Sequence, residues 1–281
     1  MSVPTGPAEP VVRFDAARPE RLARARADLA RGFALWRLAL ALAVLDLKNR
    51  YRGSVLGPLW NTLSTAAMLV GLGVLYAALF RLPAGEYLPH LAVSLILWQA
   101  IAGFLQDACL ALSAAGPVIR QIATPVSLHV LRCLLRHLLL AAHSLPLIPL
   151  VFAIFGTWPG AEAVVALPGL ALCALAGFAA ALALGILCAR FRDIPPIVAN
   201  LTQIAFFLTP ILWMPDLLSP EMQAWLPLNP FYALLETMRG PLVGGGVTAG
   251  VWAAALGWTA LLAAAAAWLF VRFRARVPYW V

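Results

Sequence analysis

The chain has 281 residues, of which 63% are hydrophobic and 11% charged, with a mean hydropathy of +0.88. A soluble domain carries about twice that charged fraction, so water is excluded as the solvent for most of this surface, and one membrane span would use only a small part of the length. The net charge of +8 is almost entirely arginine (Lys48 is the one lysine), and the arginines stand at the ends of apolar segments, which argues against a nucleic-acid partner.

Residues 1–17 lack periodicity and read as a flexible tail. Residues 18–31 are helix formers studded with Arg21, Arg24, Arg26 and Arg31. Together, 1–32 form a basic N-terminal region. No cleavable leader is visible, because the first apolar run starts only near Phe33. Residues 33–45 are apolar but about half the length of a span. With Asp46, Lys48, Arg50 and Arg52 behind them, 33–52 read as an amphipathic helix in the membrane interface; a buried helix of the bundle is the alternative.

Six spans follow, over 59–80, 91–113, 129–155, 163–189, 197–214 and 250–270, and a short tail over 277–281 ends the chain. The third should loosen near Pro146 and Pro149. The fifth should start with Pro195 and Pro196 in its first turn and Asp193 as cap. The loop 114–128 can hold a short helix along the membrane. Residues 215–249 are too apolar for a free loop and too broken for a span, so half-helices covered by protein are expected there. On this layout eighteen of the twenty Lys and Arg fall on one side and only Arg81 and Arg239 on the other. Such a bias puts both termini in the cytoplasm.

Several chemistries lack their residues. No P-loop surrounds Lys48, so ATP hydrolysis by that route is not a property of this chain. His90, His129, His137 and His143 show no metal-ligand spacing. The four cysteines, Cys109, Cys133, Cys173 and Cys188, read as reduced packing residues. Asp107 is the one clear carboxylate inside a span, and alone it gives little support to a proton-coupled carrier.

The spans carry polar stripes at helical spacing. Asn61, Ser64, Thr65 and Met68 form one on the first span. Gln99, Gly103 and Gln106 form a second, and Asn200, Gln203, Phe207 and Pro210 a third on the fifth span. Two readings stand: a hydrophilic pathway, or hydrogen bonds between helices. Tyr87, Trp98, Trp213, Trp225 and Tyr232 read mainly as an aromatic belt at the outer boundary.

The run Asp46-Leu-Lys-Asn-Arg-Tyr-Arg-Gly-Ser-Val-Leu-Gly-Pro-Leu-Trp60 resembles the entry to the first span of ABC-2 type permeases of the polysaccharide and polyol-phosphate exporter family, which handles O-antigen, capsule and teichoic acid. Phe191-Arg192-Asp193-Ile194, Leu208-Thr209-Pro210-Ile211, Leu228-Asn229-Pro230 and Glu236-Thr237-Met238-Arg239 follow in the family's order. The resemblance covers roughly residues 33–276.

What this resemblance implies is an all-α, six-span ABC-2 permease (type V exporter-like) with an N-terminal interface helix, acting as a homodimer with two ATP-binding subunits that use ATP and Mg. The chain itself would hold no cofactor or metal and bind no nucleic acid. It would lie in the bacterial inner membrane among lipid. Residues 117–127 would form the coupling helix, with Pro117, Arg120, Gln121, Thr124 and Pro125 as contacts; Thr124 departs from the family's usual aromatic. Residues 217–243 would form outer gate helices, with Trp225, Asn229, Pro230, Glu236 and Arg239 as candidates. The substrate would be a lipid-linked glycan whose pyrophosphate head meets Arg50 and Arg52, although membrane anchoring explains those two equally well. The competing assignments are an ABC-2 permease for a drug or another lipid and a membrane-bound glycosyltransferase.

Overall fold

The computed structural model describes residues 20–281; the expected tail over 1–17 lies outside them. Among the described residues all regular structure is helical. Five stretches are long and apolar enough to cross a membrane: Leu59–Phe80, Ala84–Leu110, Val126–Phe155, Ala161–Arg190 and Ala249–Trp280.

Helix α1 (Arg21–Ala34) meets α2 (Trp36–Arg50) at Leu35. The division expected at residue 32 therefore cuts through a helix. The segment expected as one interface helix is the end of α1 followed by α2. Helix α2 buries only Ala39 and Ala43, and it packs on α6 (Val126–Ala142). Between α2 and α3 (Leu59–Phe80) the chain turns sharply, with Gly53 and Gly57 at φ +85° and +53°. The Ser54 hydroxyl accepts from the Gly57 amide at 3.1 Å. A side chain at either glycine would be strained.

Helix α4 (Ala84–Leu110) starts seven residues before the expected second span. Its first turns carry Glu86 and His90, which read as non-membrane by hydropathy, yet Tyr87 and His90 are buried by tertiary contacts. A six-residue helix, α5 (Gly116–Gln121), occupies the following loop. The third membrane stretch breaks between α6 and α7 (Leu147–Phe155). The carbonyl of His143 at that break accepts from Thr62 of α3 at 2.8 Å, and Ser144 bonds Asn61 at 3.2 Å. Backbone freed within the apolar layer is thereby satisfied.

Helix α8 (Ala166–Arg190) is the hub, packed by α12 (Ala249–Phe273), α11 (Pro230–Leu242), α4 and α6. Its buried positions are mostly small, including Ala176, Ala179, Ala180, Ala183 and Gly185. Small residues let helix backbones approach closely where no hydrophobic force drives association.

Helix α9 runs Ile194–Leu208, starting three residues before the expected span and ending six before it. Thr209, preceding Pro210, is forced into extended backbone (φ −94°, ψ 135°), because a proline disfavours the helical region for the residue before it. Its 15 residues reach about 22 Å at 1.5 Å per residue. Asp193 stands at the N-cap but its side chain makes no capping bond. After α9 come a one-turn helix, α10 (Pro220–Gln223), and α11. Past α12, helix α13 (Val277–Trp280) buries Val277 and Pro278. The tail expected over 277–281 thus includes a short helix that packs against α8 and α5.

Candidate functional site

At the arginine-rich end of the bundle, α6 presents His129, Arg132, Arg136 and His137 on one face, as the i, i+3, i+7, i+8 spacing dictates. Two carboxylates from other helices answer them. Asp46 of α2 accepts from Arg132 Nε at 2.7 Å, takes a second bond from Arg132 Nη2, and lies 3.3 Å from Arg136. The planar guanidinium and carboxylate meet bidentately, the geometry that makes such pairs strong. Asp107 of α4 is held less closely, 3.3 Å from Arg50, 3.4 Å from Arg136 and 3.5 Å from His137.

Two cavities open around these groups. One of about 300 Å³ is lined by Asp46, Arg50, Asp107, His129, Arg132 and Arg136, among others. A second, about 160 Å³, is lined by Arg50, Asn61, Gln99, Asp107, His137 and Ser144, among others. Arg50 and Asp107 line both, so their ion pair stands at the junction.

Of the headgroup candidates, Arg50 is at this junction and Arg52 is on the exposed surface outside both cavities. The pathway candidates divide. Asn61 and Gln99 line the smaller cavity. Thr65 donates to Gln99 at 2.7 Å, and Gln99 reaches the Met68 sulfur at 3.6 Å. These polar groups therefore both line space and tie α3 to α4. Gln106 is half-buried, while Ser64, Asn200, Gln203 and Phe207 sit on open faces of α3 and α9, away from the cavities.

The loop carrying α5 meets the larger cavity through Thr124, whose hydroxyl lies 2.9 Å from His129 Nε2. Pro117 is in the first turn of α5, Arg120 and Gln121 are exposed, and Pro125 precedes α6 in extended backbone. Asp28 of α1 supplies the cap that Pro125 cannot, accepting from the Val126 and Ser127 amides at 3.2 and 3.1 Å. Arg274, just past α12, donates to the same carboxylate at 3.0 Å.

At the opposite end, the segment expected as a gate is knotted around Arg239. This side chain is 1% exposed. It donates to Glu236, to the Ser94 hydroxyl at 2.9 Å and to the Pro210 carbonyl, and lies 3.4 Å from His90 Nε2. The Pro210 carbonyl lies just past the end of α9, and Arg239 supplies it with a donor. Asn229 caps α11 through the Phe231 and Tyr232 amides, ahead of Pro230 at the first helical position, and donates to Thr209 at 2.9 Å. Trp225 stands apart, 70% exposed. Three residues expected in an aromatic belt, Tyr87, Trp98 and Tyr232, are interior instead. Tyr87 donates to the Leu212 carbonyl at 2.6 Å, and Trp98 packs between Phe206 and Phe231. Tyr232 belongs to α11 itself, while the chain beyond α9 reaches Tyr87 and Phe231 of α11 covers Trp98, which a hydropathy reading of α4 alone does not register.

The α6 stripe was missed as a site from sequence, where its arginines counted only toward orientation. The spacing of His129, Arg132, Arg136 and His137 was the available signal.

A family model described as ABC-2 type transporter matches residues 37–243. The chain belongs to the ABC-2 type transporter family. The matched region takes in both cavities and the Arg239 knot of this ABC-2 permease. Its chain is 30% identical over 211 residues to the O-antigen export system permease protein RfbA of Myxococcus xanthus, covering 72% of this chain and 78% of that protein. It is 24% identical over 213 residues to a protein of the same name from Klebsiella pneumoniae, covering 75% and 82%.

Proposed function

We propose that this ABC-2 permease is the membrane subunit of an ATP-driven exporter that moves a lipid-linked polysaccharide of the O-antigen type out of the cytoplasm. The observation that carries the reading is the similarity, over about three-quarters of the chain, to permeases named for O-antigen export in two organisms. Four features support the rest. The arginine distribution favours cytoplasmic termini in an inner membrane. Helix α9, apolar though short, supplies the sixth crossing beside the five longer stretches, and α2, with its basic last turn, lies at the cytoplasmic interface. The outward faces of α3 and α9 carry exposed Leu63, Val70, Val74, Ile197, Leu201 and Phe207, which a second copy or lipid would cover.

In this reading two copies pair with two ATP-binding subunits docked on α5, where Arg120 and Gln121 are free to make contact. ATP binding moves α5, and the glycan passes between the two permeases. The nucleotide drives the change only through its different affinity for the two states. The carrier's phosphate head meets Arg50 and Arg52 at the cytoplasmic leaflet. Deleting the gene tests this reading. Surface glycan should be lost while carrier-linked polymer accumulates inside the cell. An unchanged surface would exclude polysaccharide export in favour of a drug or lipid cargo, and absence of the polymer from every fraction would point to a biosynthetic enzyme.

A further inference from the structure

Among the described residues, three buried side-chain nitrogens have no hydrogen-bond partner: His129 Nδ1, Arg136 Nε and His137 Nδ1. All three belong to the same face of α6, and each residue lines one of the two joined cavities. Orphaned buried polar atoms are rare and costly, and they call for an explanation. Arg136 is the most telling, because a guanidinium N–H can only donate. It faces a cavity in need of an acceptor.

The charges define what kind of acceptor. Arg50, Arg132 and Arg136 stand against Asp46 and Asp107, which leaves one positive charge in excess before either histidine is protonated. The two carboxylates are not equivalent. Asp46 is clamped bidentately by Arg132. Asp107 touches three cationic or potentially cationic groups at 3.3–3.5 Å, longer than the 2.7–2.9 Å of a well-made charged bond. It engages Arg50 Nη1, Arg136 Nη2 and His137 Nδ1 only loosely and leaves Arg136 Nε without an acceptor.

We infer that the joined cavities between α2, α4 and α6 bind a phosphate-type oxyanion through Arg50, Arg136 and His137, with Asp107 competing for those donors until the anion displaces it. Arg132 is the positioning residue, since its grip on Asp46 fixes the turn of α6 that aims Arg136 inward. Two sources can supply the anion, a carrier-lipid diphosphate or free inorganic diphosphate. Only the first rests on the export reading above.

The test uses the full chain in lipid nanodiscs, titrated with inorganic diphosphate, undecaprenyl diphosphate and undecaprenol. Saturable binding of at least one diphosphate, with none of undecaprenol at the same site, is expected. Arg136→Gln should weaken it about tenfold or more, the loss of one charged hydrogen bond. Asp107→Asn should tighten it several-fold, whereas a purely structural Asp107 would leave it unchanged or weaker. If Arg136→Gln fails to fold, Arg50→Gln, at a half-exposed side chain, carries the same expectation. Binding of the lipid diphosphate assigns the site to the carrier. Binding of inorganic diphosphate alone keeps the anion site but separates it from export. No diphosphate binding, or binding indifferent to both the arginine and Asp107 variants, overturns the proposal.

Discussion

The Thr124 hydroxyl lies 2.9 Å from Nε2 of His129 and joins the loop of α5 to the wall of the larger cavity. If ATP binding acts on α5, this bond is a direct route by which that motion reaches α6. Thr124→Val removes the hydroxyl at constant shape. It should cost about 1 kcal/mol of stability, while the assembled transporter hydrolyses ATP with much reduced export. Thr124→Ser should restore coupling. Parallel measurement of ATP turnover and glycan export in the variants checks this.

Arg239 holds α11 to α4 and to the chain just beyond α9. Removing it leaves the half-buried Glu236 unpaired and strands the Pro210 carbonyl in the interior. Arg239→Ala should therefore destabilise the protein by about 3 kcal/mol or more. Arg239→Lys should not rescue it, since one ammonium cannot reproduce a planar fork with several donors. Thermal unfolding of the purified permease, followed by size-exclusion chromatography, gives the ranking.

Asp28 joins three segments, because it caps α6 and pairs with Arg274 from 5% exposure of its own side chain. Asp28→Ala should cost about 2 kcal/mol, combining a lost cap with an unpaired arginine. Asp28→Asn keeps the cap acceptor and should recover roughly half. The same unfolding assay separates the two contributions.

Gly169 of α8 lies against α11. A Cβ there would meet the Thr237 carbonyl oxygen at 2.6 Å. Backbone cannot yield as a flexible side chain can, so Gly169→Ala should push α11 from α8 and cost about 1–3 kcal/mol. At Gly71, which has nothing within 4 Å of an added Cβ, the same substitution should be neutral or slightly stabilising. Comparing the two variants' unfolding temperatures tests whether packing decides the outcome.

What the sequence made legible follows from what each signal contains. Hydropathy and arginine placement located the long apolar helices, because burial in lipid is written into consecutive residues. The break near Pro146 was also local. The end of α9 was local too, in the restriction Pro210 places on Thr209, but the apolar run through Met214 masked it. The early start of α4 and the burial of Tyr87 and Trp98 depend on Leu212, Phe231 and Arg239, more than a hundred residues away, and no window of sequence contains both ends of these contacts. Asp107 looked like a lone intramembrane charge because its partners, at positions 50, 136 and 137, come from other helices. The motifs around Pro210, Asn229 and Arg239 stood out individually, yet only the fold shows that they bond to one another.

The most direct measurement is export itself. Inside-out membrane vesicles holding the permease and its ATP-binding subunit should be given carrier-linked glycan in the outer medium, and the glycan then followed by its protection from an added glycosidase. The account predicts protection that requires ATP and is lost when the permease is absent. Glycan that stays fully digestible with ATP present, in vesicles where the assembled complex hydrolyses ATP, would contradict it.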